Sequence, residues 1–218
     1  MGMKRVVIRT ADLGGDKLAD CFEMDKEDNP ALGYRGIRIS LEKDEMFRTQ
    51  LRAILRASVY GNVSIMFPMI TSLEEVKAAK VQLERAKKEL SANKTAYNKD
   101  IEVGVMIETP AAVMISGELA REVDFFSIGT NDLLQFTLGM DRTNAKIDSY
   151  YNPHHPALLK MIRIITNNGH LEEKRISICG DLAADLSLTE YFLQIGIDEL
   201  SVAPGQVLGL RKKIREIQ

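Results

Sequence analysis

Six short apolar runs constrain the fold of this chain more than any other feature. They cover residues 5–10, 63–68, 101–107, 125–128, 176–179 and 199–202, and each is followed by a polar or helical segment. A continuous apolar run of this length is typical of a strand buried on both faces of a parallel sheet. Strands that alternate with helices predict an α/β fold, either a (β/α)8 barrel or a doubly wound sheet.

The intervening helices carry clear start signals. Ser72 and Glu75 form a predicted capping box, and Thr109 followed by Pro110 predicts a helix that continues over residues 111–121. Further helices are predicted after Pro156 and over residues 188–193. The segment 35–41 alternates like a strand, but we interpret it as a loop leading into a helix that carries functional arginines. Residues 91–100 are predicted to form a polar loop.

The polar residues favour the barrel over the doubly wound sheet. Six of them fall at or just past the carboxyl end of a predicted strand, namely Arg9, Asp12, Glu108, Asn131, Asp132 and Cys179. In a barrel, these strand ends converge on the face where active sites are built. A complete barrel has eight strands and about 250 residues. Because we count six strands, we expect the first two βα units to be missing upstream.

Composition excludes several classes of protein. The 218 residues contain 29 Lys and Arg against 31 Asp and Glu, a formal net charge of −2. This balance gives no electrostatic case for nucleic acid or membrane binding. No apolar segment approaches the ~20 residues of a membrane span, and no secretory signal is visible. Cys21 and Cys179 suggest no disulfide framework, so we expect a reducing cytoplasm.

Two carboxylates and an amide suggest a metal and anion site. Glu108 and Asp132 each follow an apolar strand, and the two strands are consecutive. Two carboxylates together with water and ligand oxygens commonly hold Mg²⁺. Asn131 and Asp132 also lie where a helix should begin, and helix N-termini favour anions. The competing interpretation, on equal footing from spacing alone, is that both acids are helix caps.

Four arginines could hold an anionic ligand: Arg9, Arg35, Arg38 and Arg142. A guanidinium group binds phosphate or carboxylate through two parallel hydrogen bonds. For any single arginine, the competing interpretation is an ordinary surface salt bridge.

Other reactive residues carry weaker signals. Cys179 is either inert packing or a thiol that serves as a general acid at the active face. The glycine turn at residues 12–17 is a weak motif on its own. His154, His155 and His170 are predicted in loops or at the surface, and their spacing does not support a metal site.

Taken in order, these motifs closely resemble the C-terminal domain of enzyme I, the phosphoenolpyruvate–protein phosphotransferases of the bacterial sugar phosphotransferase system. The resemblance rests on residues 9–17, 29–38, 66–69, 104–110, 129–142 and 178–180 and covers nearly the whole chain. It implies a (β/α)8 barrel that binds phosphoenolpyruvate and Mg²⁺. The segment 10–17 looks unlike the Pro-rich segment of the related pyruvate phosphate dikinases and phosphoenolpyruvate synthases, which remain an alternative.

The resemblance also implies a role for each site residue. Glu108 and Asp132 match the metal ligands. Arg9, Arg35 and Arg142 match residues that hold the substrate, with Asn131 and the backbone around Asp132 on the phosphate. Cys179 matches the residue that protonates the enolate carbon as pyruvate forms.

Departures from the family pattern shape the remaining expectations. We expect residues 1–218 to be a single partial barrel domain without the N-terminal phosphohistidine and HPr-binding domains. HPr is expected to bind only through that N-terminal domain. A substrate-binding arginine of the second strand is expected to be absent too. Asp181 and Ala184 stand where the family usually has Glu and Gly. We expect a homodimer, and a module that only senses phosphoenolpyruvate remains an alternative.

Overall fold

The computed structural model describes residues 4–14 and 27–217, which fall into two compact units, Met1–Val105 and Met106–Gln218. Six strands lie in the described residues. They are β1 (Val6–Arg9), β2 (Val63–Phe67), β3 (Val103–Ile107), β4 (Phe125–Gly129), β5 (Arg175–Cys179) and β6 (Glu199–Leu200). Each of the six predicted apolar runs therefore contains a strand.

In the first unit, strands β1, β2 and β3 pair in parallel in the order in which they follow along the chain. The register places Val6 opposite Val63 and Arg9 opposite Met66. It then places Ile65 opposite Val103. Strand β2 is buried at all five positions, as expected of a strand covered on both faces.

In the second unit, strands β4, β5 and β6 also pair in parallel in chain order. Strand β4 is buried throughout, and its last residue, Gly129, lies opposite Cys179 of β5. Strand β6 is short and places Leu200 opposite Ile178. Parallel strands that follow chain order within each unit, with helices between them, confirm the predicted α/β fold class and are consistent with a barrel that lacks units.

The α-helices of the described residues lie between and after these strands. They are α1 (Ile37–Glu42), α2 (Asp44–Ala57), α3 (Leu73–Ala92), α4 (Pro110–Met114), α5 (Ser116–Glu122), α6 (Thr130–Leu138), α7 (Pro156–Leu171), α8 (Thr189–Gln194) and α9 (Val207–Ile217). None of the helices in the described part is long and apolar enough to cross a membrane.

Most predicted helix signals are confirmed. Helix α3 begins with the full capping box of Ser72 and Glu75. Helix α7 begins at Pro156, and α1 follows Arg35 as the predicted lead-in. The predicted polar loop at residues 91–100 is present from Asn93 onwards.

Two helix boundaries differ from the predictions. The helix expected to continue over residues 111–121 is interrupted at Ile115, which separates α4 from α5. The Ser116 hydroxyl donates to the carbonyl oxygen of Val113 at 2.7 Å, and Gly117 follows. Such side-chain competition beside glycine bends or interrupts helices. The other difference is that α6 begins at Thr130, so Asn131 and Asp132 lie inside its first turn.

Candidate functional site

The carboxylate of Glu108 follows β3 and is buried, with 1% of the residue exposed. It does not cap the next helix. The cap of α4 is Thr109, whose hydroxyl accepts a hydrogen bond from the Ala112 backbone N–H at 3.1 Å. Glu108 is therefore not the N-cap residue of α4.

The end of β4 is shaped to accept this carboxylate. A Cβ atom placed on Gly129 would lie 2.8 Å from Glu108 Oε2 and 2.9 Å from Glu108 Cβ. The φ angle of Gly129 is −86°, which any residue can adopt, so space rather than backbone conformation requires glycine here. The missing side chain brings Glu108 directly against the start of α6.

Asp132 lies in the first turn of α6, three residues after Gly129, and is 6% exposed. The N-cap position of α6 is occupied by Gly129, which has no side chain. Asp132 is therefore not the cap either. The structure thus brings Glu108 and the turn that carries Asp132 together at the end of β4, and the favourable N-terminal end of the helix dipole adds to this site.

Asn131 and Thr130 join the start of α6 to the end of β5. The Thr130 hydroxyl donates to the carbonyl oxygen of Cys179 at 2.8 Å, and Asn131 Oδ1 accepts from the Asp181 backbone N–H at 3.0 Å. Gly180 lies between them with a φ of +88°, where a Cβ would be 2.7 Å from Asn131 Oδ1. Both the left-handed conformation and the close approach require glycine.

The thiol of Cys179 is half-buried beside β4 and forms hydrogen bonds with that strand. Cys179 Sγ lies 3.4 Å from the carbonyl oxygen of Ile128 as a donor, and it accepts from the Ser127 hydroxyl at 3.7 Å. Donation to a carbonyl favours the protonated thiol. The only sequence signal of Ser127 is its polarity at a buried strand position.

Arg142 lies just past the end of α6 in a tightly bonded turn. Its backbone N–H donates to Gln135 Oε1 at 3.0 Å. The neighbouring Asp141 accepts from the backbone and hydroxyl of Thr143 at 2.8 and 2.7 Å. These hydrogen bonds from Thr143 lower the pKa of Asp141.

Tyr151 is a further residue of this region that the sequence did not indicate. Its phenol is half-buried, and burial raises its pKa. The negative charges of Asp181 and Asp132 raise it further, whereas Arg142 acts in the opposite direction. The phenol therefore experiences the charges of three residues of the candidate site.

Arg35 and Asp12 form a buried ion pair in the first unit. Their side chains are each 1% exposed, and Arg35 Nη2 lies 3.2 Å from Asp12 Oδ2. Arg9 Nη1 approaches the same oxygen at 3.5 Å, with 36% of its side chain exposed. Asp12 thus contacts two of the three predicted substrate-binding arginines. For Arg35 the surface salt bridge interpretation is wrong, because the pair is buried.

The remaining candidates have local structural roles. Arg38 is exposed and donates to the carbonyl oxygens of Leu32 and Gly33 at 3.1 and 2.9 Å. No group of three or more His, Cys, Asp or Glu side chains in residues 4–14 and 27–217 is arranged to hold a metal. Residues 15–17 of the glycine turn, and Cys21, lie outside the described residues.

Comparison with known proteins identifies the family. Residues 1–218 match the family described as "PEP-utilising enzyme, PEP-binding domain". A protein of Bacillus subtilis named phosphoenolpyruvate-protein phosphotransferase is 46% identical over 214 residues, covering 98% of this chain and 38% of its own length. A protein of the same name from Listeria monocytogenes is 44% identical over 217 residues, covering 100% of this chain and 38% of its own. The chain therefore spans well under half the length of these relatives.

Solved structures share the fold at low sequence identity. The Haloferax volcanii malate synthase in its magnesium and glyoxylate complex matches with a TM-score of 0.58 and 14% identity, over 79% of this chain and 51% of that chain. A citrate lyase from Burkholderia xenovorans matches with a TM-score of 0.56 and 20% identity, over 76% of this chain and 53% of that chain. At these identities, the likeness concerns the fold alone. Because the family match covers the whole sequence, this chain belongs to the PEP-utilising enzymes and corresponds to their phosphoenolpyruvate-binding domain.

Proposed function

We propose that this chain is the phosphoenolpyruvate-binding part of a phosphoenolpyruvate–protein phosphotransferase. The observation that carries the proposal is the buried carboxylate of Glu108 against Gly129, at the strand end from which α6 presents Asn131 and Asp132. The names of the relatives favour this function over that of a dikinase or a synthase. A module that only senses phosphoenolpyruvate would use the same site without phosphoryl transfer.

The residues present fit a magnesium ion. Mg²⁺ is usually bound through one or two carboxylates, with substrate phosphates and waters completing its shell. Glu108 and Asp132 supply two carboxylates, and the absent Cβ of Gly129 leaves room for Glu108 Oε2. When bound, the ion would place positive charge beside the phosphoryl oxygens of the ligand.

The substrate is an anion with a phosphate and a carboxylate, and this chain offers donors for both. We assign Asn131, the backbone around Asp132 and Arg142 to the substrate in the second unit. To Arg9 and Arg35 we carry over the substrate-binding role that the family resemblance implies. Guanidinium groups bind such oxygens bidentately and stabilise the charge on a transferring phosphoryl group.

Cys179 completes the proposed reaction as a proton donor. When the phosphoryl group leaves phosphoenolpyruvate, the enolate of pyruvate remains, and its methylene carbon must gain a proton to form the ketone. The Cys179 thiol would give its proton to that carbon and become a thiolate, which later recovers a proton from solvent. Its S–H donation to the Ile128 carbonyl oxygen supports a thiol that is protonated before the reaction.

Calorimetric titration of the chain with phosphoenolpyruvate, with and without Mg²⁺, tests this proposal. We expect binding that requires Mg²⁺ and that falls at least tenfold in Glu108→Gln and Asp132→Asn, since each loses a charged ligand. The matched control is Glu118→Gln, an exposed acid of α5 outside the site. Metal-independent binding, or equal affinity in all three variants, would contradict the assignment.

We also propose a phosphoryl relay, a cellular location and an oligomeric state, each for a protein of the length of the relatives. There, phosphate would pass from phosphoenolpyruvate to a histidine of an N-terminal domain and on to HPr. The proposed protein is a cytoplasmic homodimer, and residues 1–218 form one partial barrel domain within it. Analytical ultracentrifugation of the chain at several concentrations tests self-association, and a strictly monomeric chain would contradict the dimer for this segment.

A further inference from the structure

The side chain of Gln135 bonds to the backbone of Arg142, in the turn that follows α6. Gln135 lies in the last full turn of α6 and is 7% exposed. Its backbone carbonyl oxygen accepts from the N–H of Gly139, which adopts the left-handed conformation at φ +61°, and from the N–H of Met140 at 3.0 Å. Its side-chain oxygen, Oε1, accepts from the N–H of Arg142 at 3.0 Å.

The end of α6 has one hydrogen bond more than an ordinary helix C-terminus. The left-handed glycine and the bonds to the Gln135 carbonyl oxygen are what a helix C-terminus commonly forms. The side-chain bond is additional, because it reaches three residues past Gly139 and fixes the backbone of Arg142 itself. The bond is part-buried, so loss of the acceptor costs free energy that water restores only in part.

The chemical identity of the acceptor also matters. A glutamine oxygen accepts a hydrogen bond without carrying charge. A glutamate at this position would bring a carboxylate close to the Arg142 backbone, one helical turn from Asp132. It would compete with an anionic ligand for Arg142 and add negative charge near a proposed metal ligand.

We propose that Gln135 is a positioning residue for phosphoenolpyruvate, which holds Arg142 in its binding position through a neutral acceptor. This inference rests on the proposed function, in which Arg142 binds the substrate. Gln135 itself need not touch the ligand, so its whole contribution to affinity passes through Arg142.

The test compares four variants of the full chain by calorimetric titration with phosphoenolpyruvate and Mg²⁺. Gln135→Met removes the acceptor at similar length, and Gln135→Glu keeps an acceptor but adds charge. Arg142→Ala removes the guanidinium group. The double variant, Gln135→Met with Arg142→Ala, completes a double-mutant cycle that measures whether the two residues act independently. The matched control is Thr137→Val, which removes a different side-chain hydrogen bond of α6, that to Met161 Sδ.

We expect Gln135→Met to bind about fivefold more weakly, the effect of one lost hydrogen bond. The double variant should bind no more weakly than Arg142→Ala, because a residue that acts only through Arg142 has nothing left to position. Gln135→Glu should also bind more weakly, and its defect should shrink in high salt as charges are screened, whereas that of Gln135→Met should not. Thr137→Val should bind like the parent chain.

Amide hydrogen exchange without ligand gives a second readout. The Arg142 amide should exchange faster in Gln135→Met and remain protected in Gln135→Glu, which still offers an oxygen. The inference is overturned if Gln135→Met keeps full affinity while Arg142→Ala loses it, or if the two losses add in the double variant. Absent binding by the parent chain, or full binding by Arg142→Ala, would instead remove the proposed substrate role on which the inference depends.

Discussion

At the scale of single residues, the reactivity of Cys179 depends on its hydrogen bonds with Ile128 and Ser127. The Ile128 carbonyl oxygen accepts from the thiol, whereas the Ser127 hydroxyl donates to the sulfur. The first contact stabilises the thiol and the second stabilises the thiolate, so Ser127 supports the charge that appears on sulfur after proton donation.

Replacing Ser127 with alanine should therefore remove the hydroxyl that stabilises the Cys179 thiolate. Because the thiolate is the form that reacts, we expect alkylation of Cys179 by iodoacetamide to slow about two- to fivefold. Mass spectrometry of the peptide that contains Cys179 measures the rate as a function of pH. Ser177→Ala is the matched control, since its hydroxyl donates to the Phe126 carbonyl oxygen on the same strand pair. Unchanged or faster alkylation in Ser127→Ala would contradict this account.

A substitution at Gly129 tests how closely the end of β4 packs against Glu108, the proposed metal ligand. In Gly129→Ala the new methyl group overlaps the Glu108 carboxylate, so we expect a loss of about 1–3 kcal/mol in the free energy of unfolding. Gly117→Ala is the control, because nothing lies within 4 Å of its Cβ position, and it should gain about 0.5–1 kcal/mol in α5. Urea denaturation measures both, and a neutral Gly129→Ala would show that Glu108 moves away without cost.

At the scale of elements, the loop after β1 and the loop before α1 are joined by the Asp12–Arg35 ion pair. Both side chains are 1% exposed, so neither charge is screened by water. Gly36, next to Arg35, has a φ of +59°, and a Cβ there would lie 2.8 Å from Met69 Cβ. The loop that carries Arg35 is thus fixed by its charge partner and by its tight backbone.

The expected cost of breaking this pair is large. Asp12→Asn leaves the Arg35 guanidinium buried without its carboxylate, which should cost about 3–5 kcal/mol in the free energy of unfolding. Arg121→Ala breaks the exposed pair with Glu172 and should cost about 0–1 kcal/mol. Denaturant titrations of the two variants decide between a buried electrostatic contact and an ordinary surface one. Similar losses of unfolding free energy in the two variants would contradict a buried ion pair between Asp12 and Arg35.

At the scale of the whole molecule, the sequence predicted which residues follow strands but not which side chains contact one another. Glu108 and Asp132 were found because apolar runs of strand length end just before them. The contact of Ser127 with Cys179 depends on the register that sets Gly129 opposite Cys179, and register is fixed by tertiary packing. The bond from Arg142 to Gln135 depends on a helix end that local propensity does not specify. The interruption at Ile115 follows from a serine hydroxyl bond that periodicity cannot detect.

The three histidines of the chain carry the last prediction, which concerns phosphoryl transfer. Each has a ring nitrogen in a local contact: His154 Nε2 lies 2.5 Å from Asp185 Oδ2, His155 Nδ1 accepts from the Ala157 N–H at 3.2 Å, and His170 Nε2 lies 3.1 Å from Asp198 Oδ2. These contacts engage one nitrogen of each ring in a loop or at a helix end. We expect the 218-residue chain, incubated with radiolabelled phosphoenolpyruvate, Mg²⁺ and HPr, to form no acid-labile phosphohistidine and to label no HPr. The Bacillus subtilis relative, which is longer, serves as the positive control. Labelling of the isolated chain that is lost in His154→Ala, His155→Ala or His170→Ala would assign the acceptor to that histidine and contradict the proposal that an N-terminal domain supplies it.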